Sequence, residues 1–290
     1  MRYTKAFVAA SFGLLGASFA HADVIYVSNA GGNGSISQIS PTTSTFASGL
    51  GDPRGMAFDN AGNLYVANFQ GETISKIAPN GTTSIFATGF DGPNGMAVDT
   101  TGNLYVANYF GNNVLKITSN GTVSTFGARV LDGPEGLAFD SAGNLYVSDT
   151  LSNDIVKITP TAVETTFATG LNSPIGLAFD ITGNLYVSNW DTANNNANSI
   201  IKITPAGTEG VFATGLDGPE GLAFDSAGNL YAANYFNNTV SEISPTGTVS
   251  TFATGLSTPR FLVVAPEPSC LALLSMFGVG LLARRRRTAH

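Results

Sequence analysis

The sequence predicts an all-β fold, a six-bladed β-propeller of four-stranded blades whose ring is closed by pairing of the N- and C-terminal strands. Three observations carry this expectation. One tyrosine-centred unit recurs at Tyr26, Tyr65, Tyr105, Tyr146, Tyr186 and Tyr231, at spacings of 39, 40, 41, 40 and 45 residues, and self-similarity at a fixed period marks a repeat architecture. Each unit holds four short runs of β-branched and aromatic residues divided by Gly and Asn turns, the pattern of a four-strand meander. The two ends of the repeat region hold complementary fractions of one blade.

The unit is plainest from Pro53-Arg54-Gly55-Met56-Ala57-Phe58-Asp59, the innermost strand, through Gly62-Asn63-Leu64-Tyr65-Val66-Ala67-Asn68, the second. Ile74-Ser75-Lys76-Ile77 and, after the Asn80-Gly81 turn, Ile85-Phe86-Ala87 supply the third and fourth. Proline-initiated strands recur at Pro93, Pro134, Pro174, Pro219 and Pro259. The last, reaching Val264, has no further strands of its own blade after it, while the first tyrosine copy, Asp23 to Asn29, has no proline-initiated strand before it. The C-terminal strand therefore supplies the inner strand of the first blade and removes the open edges of the ring.

Residues 23–265 carry seven basic and nineteen acidic side chains, a net charge of about −12. Phosphate recognition needs a basic patch, so nucleic acid is excluded as a partner. The sole cysteine, Cys270, lies beyond this region, leaving packing and β-ladders to stabilise it.

The ends read differently from the middle. Met1-Arg2-Tyr3-Thr4-Lys5, an apolar run from Ala6 and Ala20-His21-Ala22 form a basic start, a short apolar core and an A-x-A site, so residues 1–22 are expected to be a cleaved signal peptide. Residues 266–290 open with Pro266-Glu267-Pro268, continue through an apolar run from Cys270 to Ala283 and reach Arg284, Arg285, Arg286 and Arg287. About fourteen apolar residues make a short transmembrane helix, and the arginines stop its translocation. This tail resembles the PEP-CTERM sorting signal. The resemblance implies recognition by an exosortase-like processing enzyme, transient inner-membrane anchoring, and delivery to the cell surface or extracellular polymer of a Gram-negative bacterium.

The repeat resembles the NHL repeat of six-bladed propellers, including the streptogramin lyase and gluconolactonase groups, over nearly all of residues 23–265. The resemblance implies the fold and leaves the chemistry open, because propellers host both enzymes and binding modules. Asp59, Asp99, Asp140, Asp180 and Asp225 recur before a Gly-Asn turn, inviting either a calcium reading or turn hydrogen bonding. Asn29, Asn68, Asn108, Asn189 and Asn234, with Asp149 as the odd member, end each second strand and read as loop caps. What varies between blades marks the candidate site. Arg54, Asn94, Glu135, Ile175, Glu220 and Arg260 occupy the position after each proline and are expected to ring the channel mouth. A second variable set follows the second strand: Phe69-Gln70, Tyr109-Phe110, Thr150, Trp190-Asp191 and Tyr235-Phe236. Tyr109, Trp190 and Tyr235 suit either a sugar ring or protein surface, or packing against a neighbouring blade. The longest insertion, Asp191 to Ser199, lies beside the only tryptophan.

Streptogramin lyase resemblance implies catalytic histidines and a magnesium ion, yet the only histidines are His21 and His290, both in segments expected to be removed. Gluconolactonase resemblance implies a divalent cation held by carboxylate and amide oxygens, for which Glu135, Asp149 and Glu220 are the candidates; Glu220 can equally pair with Arg260. A nucleophilic triad lacks both its base and a cysteine. The expected function is non-enzymatic, a binding or structural module without a cofactor whose partner is an extracellular polysaccharide or protein. The alternative is a divalent-metal-dependent lactonase-like hydrolase.

Overall fold

The computed structural model describes residues 23–127, 131–190 and 198–266. They form six four-stranded antiparallel sheets arranged as blades. Blade 1 joins β24 (Pro259–Val264) to β1 (Ile25–Asn29), β2 (Ser35–Ser40) and β3 (Thr42–Ser48). The five other blades are continuous in sequence, with inner strands β4 (Pro53–Phe58), β8 (Pro93–Val98), β12 (Pro134–Phe139), β16 (Pro174–Phe179) and β20 (Pro219–Phe224). Closure is as expected: β24 pairs with β1 antiparallel, Ile25 opposite Val264 and Asn29 opposite Pro259. No helix among the described residues is long and apolar enough to cross a membrane.

The repeating tyrosine explains how blades lock together. Tyr26 meets Phe46 of its own outer strand edge-on at 4.9 Å and Phe58 of the next blade at 5.3 Å. Tyr105, Tyr146 and Tyr186 repeat this arrangement with Phe126 and Phe139, Phe167 and Phe179, and Phe212 and Phe224. Edge-to-face pairs at this spacing contribute about 0.5–1.5 kcal/mol beyond their buried area, so each ring fastens two sheets. The recurring aspartates are turn residues. Asp59 Oδ1 accepts the Ala61 and Asn63 backbone N–H groups at 2.9 Å, and its Oδ2 accepts the Asn63 amide at 2.8 Å. Burial works to raise the matching carboxyls of Asp99 and Asp180, but hydrogen bonds from the following Asn and Thr outweigh it and hold both at about 2.

Every inner strand carries an irregularity two or three residues after its proline. In β12, Pro134 pairs with Asp149 and Leu137 with Val147, so three steps on one strand match two on the other. The same bulge recurs in β4, β8, β16 and β20, and in β1 against β24. A bulge re-aims a side chain, here the variable residue after proline. The glycine that follows lets neighbouring inner strands approach: a Cβ at Gly55, Gly95, Gly136 or Gly176 would collide with the backbone carbonyl of Asn94, Glu135, Ile175 or Glu220 in the next blade. Phe261 takes this position in the closing strand.

Candidate functional site

The residues after proline form a ring around the axis, set deeper than a surface mouth. Asn94, Ile175 and Glu220 are buried at 0, 1 and 1% exposure, while Arg54, Glu135 and Arg260 are half-buried. Below them the axis turns apolar, where Met56, Met96, Leu137, Leu177, Leu222 and Leu262 border a cavity of about 270 Å³.

The charges in this ring are already engaged. Arg260 Nη1 donates to Glu220 Oε1 at 2.5 Å, the pairing the sequence allowed. Arg54 Nη2 lies 3.5 Å from Asp52 Oδ2. Burial raises Glu220 to about 8 against the pull of Arg260 and with a push from Glu135. Burial also raises Glu135, opposed by Arg54 and Arg260. Asn94 lies near enough to Glu135 to favour its charged form, yet neither amide atom of Asn94 makes a well-formed hydrogen bond. It is the one completely buried polar side chain of the ring with both a donor and an acceptor unsatisfied.

Above the ring, aromatic residues gather into two shelves at matching positions. On one side Phe69 of blade 2 meets Tyr109 and Phe110 of blade 3 at 6.0 and 5.3 Å. On the other, Trp190 of blade 5 meets Tyr235 and Phe236 of blade 6 at 6.1 and 5.8 Å. Three blades separate the members of each matching pair, so the shelves face each other across the axis. Each carries an arginine: the Arg54 guanidinium sits 3.4 Å over the Phe69 ring and that of Arg260 4.2 Å over Tyr235. Phe110 and Phe236 remain 59 and 48% exposed. Tyr109, Trp190 and Tyr235 are half-buried and pack against neighbouring rings, while the open faces belong to Phe110 and Phe236.

Some positioning residues escaped the sequence reading. Ser188 Oγ accepts the Gly176 N–H and donates to the Glu220 carbonyl, both at 2.7 Å, pinning the bulge of one blade to the inner strand of the next. Ser148 does the same between Gly136 and Ile175. Gly92 and Gly218, with φ of +67° and +66°, lie under the shelves, where a Cβ would come within 2.7 Å of Phe110 and 2.6 Å of Phe236. The Asp-Gly-Pro triplet leads into β8, β12 and β20, and a Tyr-Phe pair follows the second strand only in the blades of β8 and β20, so the triplet alone does not mark the shelves.

The proposed metal ligands do not converge in a way that suits a divalent cation. Asp149 is 1% exposed, and its Oδ1 accepts the Asp132 backbone N–H at 2.5 Å, as Asn108 does for Asp91. It serves as a loop cap. Glu220 faces Arg260, and among the described residues no three His, Cys, Asp or Glu side chains come together as a metal-holding group. The expected signal peptide of residues 1–22, Glu267, Pro268, Arg284, Arg285, Arg286, Arg287 and most of the 191–199 insertion lie outside the described residues. Pro266, the first residue of the tail, is exposed.

Comparison with solved structures places these blades among known propellers. Nidogen in its laminin complex superposes with a TM-score of 0.75 at 18% identity, over 84% of this chain and 99% of that one. A gluconolactonase from Xanthomonas campestris gives 0.64 at 17%, over 74 and 87%. A catalytically inactive histidine-to-alanine variant of virginiamycin B lyase from Staphylococcus aureus, crystallised with quinupristin, gives 0.63 at 14%, over 85 and 94%. At these identities the likeness is one of fold. No curated protein sequence matches the chain. The model of the virginiamycin B lyase family matches residues 37–274, most of the sequence, and the chain belongs to that family.

Proposed function

We propose that this member of the family is a non-enzymatic binding module, exported and held at the cell surface or in the extracellular polymer, with its recognition site at the axial mouth. The observation that carries this reading is the commitment of the acidic groups: Glu220 is bound to Arg260, and Asp149 caps its loop. The aromatic shelves offer contact area instead. The virginiamycin B lyase variant is inactive with one histidine replaced, and residues 23–265 hold no histidine at all, so the proton transfers such a side chain performs have no counterpart here.

The test is lactone hydrolysis by residues 23–265 with added magnesium, calcium or zinc. No turnover above the metal-only rate is expected. Turnover abolished by EDTA and restored by the metal would establish the lactonase-like alternative. The sorting reading completes the proposal: an exosortase-like enzyme recognises Pro266-Glu267-Pro268, the apolar run and the four arginines, then removes the tail.

A further inference from the structure

We propose that the occupant of this mouth is a neutral glycan chain that bridges the two aromatic shelves across the axis. The inference rests on the binding-module reading and adds the chemistry of the partner.

The charge arrangement argues against an ionic ligand. Arg54 and Arg260 are the basic side chains of the ring, and each already faces a carboxylate, Asp52 and Glu220. Glu135 adds a further carboxyl group beside them. An incoming anion would have to displace Asp52 and Glu220 from the half-buried guanidinium groups they face. A cation would meet the two arginines. The uncharged polar member of the ring, the Asn94 amide, is buried beside Glu135, so a neutral occupant is the one that leaves both arginine contacts intact.

The shelves select shape. The exposed faces of Phe110 and Phe236 suit the apolar C–H faces of pyranose rings. A protein partner would call for a contiguous apolar patch with a polar rim; here the two aromatic surfaces are separated by a recessed polar ring. Because the shelves occupy equivalent positions three blades apart, an occupant touching both must be a chain reaching over Asn94 rather than a single sugar.

Trp190 is the only tryptophan and belongs to one shelf, so its emission reports occupancy directly. The experiment titrates residues 23–265 with cellohexaose, mannohexaose and maltohexaose, and with hexagalacturonate as the acidic counterpart. At least one neutral hexaose should shift Trp190 emission saturably, with the monosaccharides at least tenfold weaker and hexagalacturonate no better than background. Phe110→Ala, on the opposite shelf from the reporter, should weaken binding by tenfold or more while leaving the free-protein emission unchanged. No response to any neutral hexaose, or a preference for hexagalacturonate, overturns the proposal. An unchanged affinity in Phe110→Ala overturns the bridging. The two readings are separable: lactone turnover would sink the binding module itself, whereas retention of a protein partner in the wild type, lost in Phe236→Ala, would keep the module and replace the glycan.

Discussion

Arg260, on the strand that closes the ring, donates to Glu220 of the sixth blade at 2.5 Å, so the last inner strand to join the ring is held to its neighbour by a buried hydrogen bond that becomes an ion pair where Glu220 ionises. Removing the arginine strands a buried carboxylate, and breaking such a pair costs about 3–5 kcal/mol. Arg260→Ala is expected to lose that much stability at pH 9 and clearly less at pH 5, where Glu220 takes a proton. Urea unfolding at the two pH values measures the difference; equal losses would refute it.

The pH dependence of the wild type follows from the same group. Glu220 titrates at about 8 when folded and near 4.3 when unfolded, so between those values the folded protein binds the extra proton. Stability therefore falls as pH rises through that window. Asp99 and Asp180, held at about 2 against about 3.9 unfolded, contribute stability that is lost as pH drops from about 4 to 2. The melting temperature should peak in mildly acidic solution, and Glu220→Gln should flatten the alkaline limb.

Gly176 faces the Glu220 carbonyl with no room for a Cβ. Gly176→Ala must force neighbouring inner strands away from each other and should cost about 3 kcal/mol or more, at the upper end of overpacking effects. Ser188→Ala, which leaves the Gly176 N–H and the Glu220 carbonyl without their hydroxyl, should cost about 1–3 kcal/mol. Chemical denaturation orders the two; a larger loss for Ser188→Ala would be inconsistent with this packing.

Deletion of Arg260 to Ala265 leaves β1 with an open edge and takes packing from the neighbouring inner strands β4 and β20. The shortened protein should aggregate or melt well below the intact one. Unchanged thermal unfolding would mean that closure by β24 carries no stability.

Replacement of Arg284 to Arg287 by neutral residues should abolish tail processing in the native host, since the translocation stop is gone. Mass spectrometry of the wild-type surface protein should find no peptide containing His290. Recovery of that peptide would count against tail removal.

The fold was readable because its determinants are local and repeated: one tyrosine per blade, a glycine-asparagine turn after each aspartate, a proline at the start of each inner strand. Even the Glu220–Arg260 pair could be anticipated, since adjacent blades bring equivalent positions together. What stayed hidden depends on how far side chains sit from solvent. The bulge that turns Asn94 inward is written only as a glycine two residues after proline. Its complete burial beside Glu135 is a property of six inner strands packed at once. The pairing of Phe69 with Phe110 and of Trp190 with Phe236 likewise emerges from blade-to-blade stacking, and the Asp-Gly-Pro triplets do not single it out, since Asp132-Gly133-Pro134 is matched by Thr150-Leu151 rather than by an aromatic pair.

The Ala265 N–H donates to the Val24 carbonyl at 2.8 Å, so the propeller begins and finishes at adjoining points. Because Asn29 and Pro259 share the mouth side while Ile25 and Val264 share the other, both ends leave through the face turned away from the shelves. A short peptide joining 265 to 23, with a new opening cut at the Asn80-Gly81 turn, would yield a circular permutant with the same blades. A cargo fused at residue 23 or residue 265 would hang from the underside and leave the mouth uncovered.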